Sequence, residues 1–251
     1  MNQREAVERF HLTFLRHFSA IVGPGTICLK GGVNLRLYHN SPRLSEDVDF
    51  DARVVGVDIL KKNVKRVLDG RPLRSELAAV GISLSEIKPS KQTATTQRWK
   101  FEVICEVNRS PTRLEFSRRQ VGPFEDCATD VPSPTLLGNH QVLPFVFPHY
   151  SGPAAYRQKI HALADRSAVQ TRDVFDLHHL SRFSSAGRQT PNDVVLRAIA
   201  QLDLISFAMF REQVIPYLPT DLGGHYGTPV AWSRMTGTVK ANLQTALPEA
   251  S

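Results

Sequence analysis

The sequence predicts an α+β protein: a mixed β-sheet lobe with helices, followed by a mainly helical C-terminal lobe. Three observations carry this reading. An early unit reads strand, Gly-Gly turn, short helix, strand. Strand-patterned segments then follow one another between residues 82 and 118, and from 153 onward the apolar period is helical.

The elements follow in order. Residues 3–22 carry Val7, Phe10, Phe14, Leu15, Phe18 and Ile21 at helical spacing, so a helix opens the fold. The apolar run Ile27-Cys28-Leu29 reads as a strand, Gly31-Gly32 as a turn, and Leu35, Leu37 and Tyr38 as a short helix. A second strand holds Asp47-Val48-Asp49-Phe50, and the unit closes near residue 54. Tyr38 and Phe50 read as packing residues. Residues 57–80 read as helix, broken near Gly70-Arg71-Pro72. Segments 82–88, 96–107 and 111–118 alternate, or carry aromatic and β-branched residues, and read as strands.

From about 122 to 152 the chain is proline-rich, which predicts an extended crossing between lobes. The domain expectation is therefore a catalytic lobe over 1–122, a crossing over 123–152 and a helical lobe over 153–251. Helices are expected at 153–166, opening with Pro153, at 171–183, and at 191–218 after Thr190. Beyond Pro219 there is little periodicity, and the last ten residues are expected to be mobile.

Composition narrows the class. A chain of 251 residues with 41% hydrophobic content can bury a core of one or two domains. No apolar run reaches the roughly 18 residues that would cross a bilayer, and no apolar signal core follows Met1, so no membrane partner is expected. Cys28, Cys105 and Cys127 are odd in number and widely spaced, fitting neither a zinc site nor a disulfide framework, which points to a reducing cytoplasm. The adjacent His178-His179 would point about 100° apart on a helix, too divergent to share an ion. The net charge of +7 favours polyanionic partners. Its local clusters, Lys61-Lys62 with Lys65-Arg66, Arg71 with Arg74, and Arg118-Arg119, are read as a nucleic-acid face.

The chemistry concentrates in Leu29-Lys30-Gly31-Gly32 and Arg43-Leu44-Ser45-Glu46-Asp47-Val48-Asp49-Phe50. Backbone amides at a Gly-Gly strand-to-helix turn can approach a phosphate closely. Alternation puts Asp47 and Asp49 on one face of a strand while Val48 and Phe50 pack on the other. Two such carboxylates suit Mg²⁺, which completes its shell with water and substrate phosphates.

Together these blocks resemble the nucleotidyltransferase superfamily and, through their flanking residues, the AbiEii (MenT-like) toxin family of bacterial toxin–antitoxin systems. A second segment matches that family: Lys159, Ala162, Leu163 and Arg166 on one helix, then Arg172, Asp173, Asp176 and Leu177 at the start of the next. The two blocks cover about a fifth of the chain.

The resemblance implies transfer of NMP from an NTP to an RNA acceptor, the 3′ end of tRNA foremost, arresting translation. It implies Mg²⁺, with Mn²⁺ as an alternative, and an antitoxin partner. Asp47 and Asp49 would hold the metal, with Glu115 as third ligand; Glu102 and Glu106 are weaker substitutes for it. Gly31, Gly32 and Ser45 would cradle phosphate. Lys159 would meet the triphosphate, with Arg166 as a second contact, and Asp173 would orient Lys159 or the acceptor, with Asp176 as the alternative. Lys159 lies far along the chain from Asp47, so the resemblance implies a cleft between lobes.

The sequence departs from the family at Val33-Asn34, where a Thr-Ala pair is common, so Asn34 could alter the pocket. Fourteen residues (33–46) separate the Gly pair from Asp47, at the long end for the superfamily. Two rival readings are a nucleotidyltransferase acting on a small molecule such as an antibiotic, and a non-catalytic RNA- or protein-binding module. The second matching block speaks against the first, and the intact Asp47/Asp49 pair, which repels RNA, against the second.

Overall fold

The computed structural model describes residues 1–119, 124 and 126–248. Its contacts divide the chain into two compact units, one of Met1–Asn40 with Leu44–Tyr150 and one of Ser41–Arg43 with Ser151–Ser251.

The first unit opens with α1 (Gln3–Ser19), started by a capping box in which Asn2 and Glu5 each accept from the other's backbone N–H. β1 (Ile27–Lys30), α2 (Gly31–Tyr38) and β2 (Asp47–Ala52) follow, then α3 (Val57–Leu68) and α4 (Arg71–Ala78) with the expected break at Gly70. β3 (Ile82–Leu84), β4 (Lys88–Gln92), β5 (Thr96–Cys105) and β6 (Asn108–Ser117) come next. The sequence reading missed β4, a short edge strand that carries Pro89 and a bulge.

The described residues of 123–152 overturn the extended crossing. They form β7 (Cys127–Asp130), α5 (Pro134–Asn139) and β8 (Phe147–Tyr150), and both strands join the sheet of the first unit. Proline does not break the chain here, because Pro134 sits in the first turn of α5, where its missing N–H costs nothing. Pro123 and the boundary placed at 122 lie outside the described residues.

The sheet runs β3-β5-β6-β2-β1-β8-β7, with β4 also paired to β5. It is mixed: β2 runs parallel to β6 and β1 parallel to β8, while β1 and β2 are antiparallel. One face is apolar and covered by α1, whose Phe18 meets Phe50, Phe116 and Phe147; Phe50 stacks on Phe116 at 4.5 Å. Leu60, Val64, Leu73 and Leu77 of α3 and α4 belong to the same core. Each such side chain contributes about 1.5–3 kcal/mol on burial. The other face therefore carries the polar residues of the same strands.

Cys28 and Cys127 are joined in a disulfide, with Cα atoms 6.5 Å apart, which corrects the expectation of unpaired thiols. The pairing β1-β8-β7 brings together two residues distant in sequence, a non-local fact that spacing does not encode.

The second unit is helical. It comprises α6 (Gly152–Asp165), α7 (Thr171–His179), α8 (Asn192–Leu202), α9 (Phe207–Gln213), α10 (Thr220–Tyr226) and α11 (Pro229–Gln244), with 3₁₀ turns at Ser181–Gln189 and Ile215–Tyr217. The single helix expected over 191–218 breaks because Ser206 caps a new one, its hydroxyl accepting from the Met209 N–H. The unpatterned, mobile tail is also corrected as far as residue 248, while 249–251, the last of the ten residues expected to be mobile, lie outside the described residues. Thr228 caps α11, Pro229 fills its first turn, and Leu243 is fully buried. Among the described residues no helix is long and apolar enough to cross a membrane.

Candidate active site

The turn between β1 and α2 holds its shape through Gly31. Its φ is +72°, a conformation that L side chains avoid, and a Cβ there would lie 2.9 Å from Asp49 Oδ2. No side chain caps the first turn of α2, so its leading amides remain donors for an anion. Ser45 donates its hydroxyl to the Asp47 carbonyl at 3.1 Å, tightening the entry to β2.

Asp47 and Asp49 share the polar face of β2, while Val48 and Phe50 are fully buried. The parallel pairing with β6 sets Asp49 opposite Glu115 and Asp47 opposite Arg113. Of the carboxylates weighed for the third position, Glu115 alone falls in that register. Glu102, on β5, pairs with Arg109 of β6, and Glu106 sits in the β5–β6 turn with φ +56°.

Two guanidiniums occupy this face. Arg113 Nη2 lies 2.6 Å from Asp47 Oδ2, and Arg98 Nη2 lies 2.7 Å from Glu115 Oε2. These side chains are only 24–29% exposed. Asp49 makes no ion pair among the described residues. The donors suit Mg²⁺, being hard carboxylate oxygens held on a rigid strand. Cation slots exist beside Asp47 and Glu115, but arginines fill them, and among the described residues no three metal-ligating side chains converge on one point. Asp47 and Asp49 thus fit a metal as a pair once Arg113 gives way, and Glu115 joins them only if Arg98 also lets go.

Sequence reasoning missed Arg98 and Arg113, and also Asp51. The run Asp47-Val48-Asp49-Phe50-Asp51 continues the alternation, and that was the available signal. Asp51 is nearly buried between Lys30 Nζ at 2.6 Å and the Tyr150 hydroxyl, which donates at 2.8 Å. Burial, then the Asp51 charge, pushes the Tyr150 phenol well above its usual range. Asn34 is turned inward. Its amide donates to the Tyr150 carbonyl at 3.0 Å and its oxygen lies 3.2 Å from His149 Nδ1, so it joins α2 to β8.

In the second unit the other matching block forms a buried ionic cluster. Lys159 Nζ lies 2.8 Å from Asp173 Oδ1 and 2.6 Å from Asp176 Oδ2. Arg43 makes a two-pronged contact with Asp176, Nε at 3.0 Å and Nη2 at 2.9 Å. Arg166 Nε is 3.0 Å from Asp173 Oδ2, an ion pair without hydrogen-bond alignment, so that buried oxygen lacks a donor. Both aspartates are fully buried. Burial alone would raise the Asp176 carboxyl, but Arg43 and then Lys159 hold it far below the usual carboxylate range. Both aspartates weighed as the orienting acid touch Lys159.

The family model described as nucleotidyl transferase AbiEii toxin, type IV toxin–antitoxin system, matches residues 13–221. No curated protein matches the chain. Among solved structures, the nucleotidyltransferase toxin MenT4 of Mycobacterium tuberculosis is similar, with a TM-score of 0.65 at 18% identity, over 98% of this chain and 85% of that one. A putative nucleotidyltransferase from Helicobacter pylori gives 0.59 at 17% identity, over 98% and 95%. JHP933 from the same organism gives 0.58 at 18%, over 98% and 92%. At these identities the likeness establishes the fold.

Proposed function

The chain belongs to the AbiEii family of nucleotidyltransferase toxins, and from that premise we propose that it transfers NMP from an NTP to the 3′ end of an RNA, tRNA above all. The consequence would be translation arrest in the cytoplasm, relieved by a cognate antitoxin. The observation that carries the reading is the register that aligns Asp49 with Glu115 beside the Gly31 turn.

In the reaction the RNA 3′-oxygen bonds to the α-phosphorus, the bond to the β-phosphate oxygen breaks, and pyrophosphate leaves. Gly31 and Gly32 amides, with Ser45, receive phosphate oxygens. Asp47 and Asp49, with Glu115, are the residues that would hold Mg²⁺ or Mn²⁺. That ion would supply neutralisation of the charge growing on the transferred phosphoryl. Glu115 takes the proton of the attacking hydroxyl. Lys159 and Asp173 are proposed as the second group that transfer requires, with Lys159 as the triphosphate contact, Arg166 beside it and Asp173 fixing the ammonium.

The experiment is direct. Purified protein is incubated with Mg²⁺, each labelled NTP in turn and total tRNA. Label should appear in tRNA, and Asp49→Ala should abolish it while melting like the parent. Full activity of Asp49→Ala, or label entering only a small molecule, refutes the reading.

A further inference from the structure

Two rows of side chains lead off the carboxylates toward the sheet edge. In one, the register places Asp49 beside Glu115, Glu115 beside Arg98, and Arg98 beside Lys91. In the other, Asp47 lies beside Arg113, Arg113 beside Lys100, and Lys100 beside Lys88. Residues paired across strands share a face, and here Trp99, Phe101, Leu114 and Phe116 occupy the opposite, buried one. With strands about 4.8 Å apart, each row spans about 14 Å. Both rows begin acidic on β2 and end basic on β4.

The cations differ in how they are held. Arg98 and Arg113 are tied to Glu115 and Asp47. Lys91 and Lys100 are exposed and make no ion pair among the described residues, and Lys88 meets only the exposed Glu86, at 3.7 Å. Lysines and a proline on an edge strand also block strand addition. Edge protection alone, however, does not require the positive charge to continue inward across β5 and β6 to the carboxylates.

We propose that this cationic ramp seats the single-stranded 3′ arm of the RNA acceptor. The arm lies across β4, β5 and β6, its phosphates on Lys88, Lys91 and Lys100 and its terminal hydroxyl at Asp47 and Asp49. This rests on the RNA-acceptor reading above. Charge complementarity selects the occupant, because a small acceptor has no use for three ammoniums strung out from the reacting atoms, whereas a polyanion does. The cluster on α3 that the sequence singles out cannot serve this way. Lys61, Lys62 and Arg66 belong to α3, which packs in the core beneath the apolar face, on the other side of the sheet.

The test compares tRNA binding by the full chain and by Lys88→Ala/Lys91→Ala/Lys100→Ala across a salt series. All three side chains are exposed, so the variant should melt like the parent and still bind an NTP. A single-stranded contact contributes about 0.7 to the slope of log K against log salt, so the variant's slope should be flatter by about 2. Lys61→Ala/Lys62→Ala/Arg66→Ala should keep the parental slope. An unchanged slope in the ramp variant, or a flattened one in the α3 variant, overturns the ramp while the parent still labels tRNA. A parent that labels no RNA at all overturns the acceptor reading, and the ramp with it.

Discussion

Lys159→Met tests the ionic cluster of the second unit. The substitution keeps an unbranched side chain one heavy atom shorter and removes its charge. It takes one ion-pair partner each from Asp173 and Asp176, both fully buried. Breaking a buried pair from one side costs about 3–5 kcal/mol, because the remaining charge is left in a medium that solvates it badly. Each aspartate keeps an arginine, Arg166 or Arg43, which places the loss near the lower end, about 3 kcal/mol. For a chain of this size that is a fall in Tm of about 6–12 °C. Differential scanning calorimetry at neutral pH reads it. The double variant Lys159→Met/Asp173→Asn removes the charge on both sides and should recover most of the loss. Transfer activity then separates the roles: if Lys159 acts on the nucleotide, the double variant regains stability and stays inactive. A Lys159→Met protein that melts within a degree or two of the parent refutes the claim that this cluster holds the unit together.

Three further outcomes follow from the first unit. Gly31→Ala should abolish transfer, because the new methyl would lie 2.9 Å from Asp49 Oδ2 at a φ of +72°; a variant with parental turnover removes the turn from the site. His11 is buried on Thr112, 3.1 Å from its hydroxyl, which itself donates to the Glu46 carbonyl, and burial pushes the imidazole down to about 4 from the usual 6.5. A lowered histidine stabilises the fold above 6.5 and loses that contribution as pH falls through 4, about 3 kcal/mol in all. Denaturant unfolding from pH 7 to 4 should show it, and an equal acid loss in His11→Asn would count against the assignment. Reducing the Cys28–Cys127 disulfide should lower stability by about 2–4 kcal/mol. Thiol titration of the denatured, unreduced protein should find Cys105 alone, and three reactive thiols would contradict the bridge.

Much of the fold was legible where the signal is local. Helix α1 announced itself by Phe10, Phe14 and Phe18, and β2 by the alternation of Asp47, Val48, Asp49 and Phe50. The failures share a cause. The prolines of 123–152 were weighed as local breakers, whereas Pro134 merely starts α5 and Pro148 sits in a strand whose pairing with β1 is set more than 100 residues away. Likewise Thr228 and Pro229 are a helix-start signal for α11, but the weak periodicity beyond Pro219 suggests an unstructured tail.

The site divides along the same line. Which residue types belong to it could be read from spacing, because alternation along a strand is a property of the backbone. Which residues face one another could not, because strand register is decided by the hydrophobic faces of two segments packing together. Trp99, Leu114 and Phe116 turn inward, and this sends Arg98, Arg113 and Glu115 outward onto the face of Asp47 and Asp49. The core thereby dictates the electrostatics of the opposite side. A one-residue slip of β6 would bury Glu115 and Arg113 and expose Phe116, exchanging a charged face for an apolar one. The aromatic packing around Phe18, Phe50 and Phe116 is therefore what keeps the carboxylates, their arginines and the lysine rows beyond them in line.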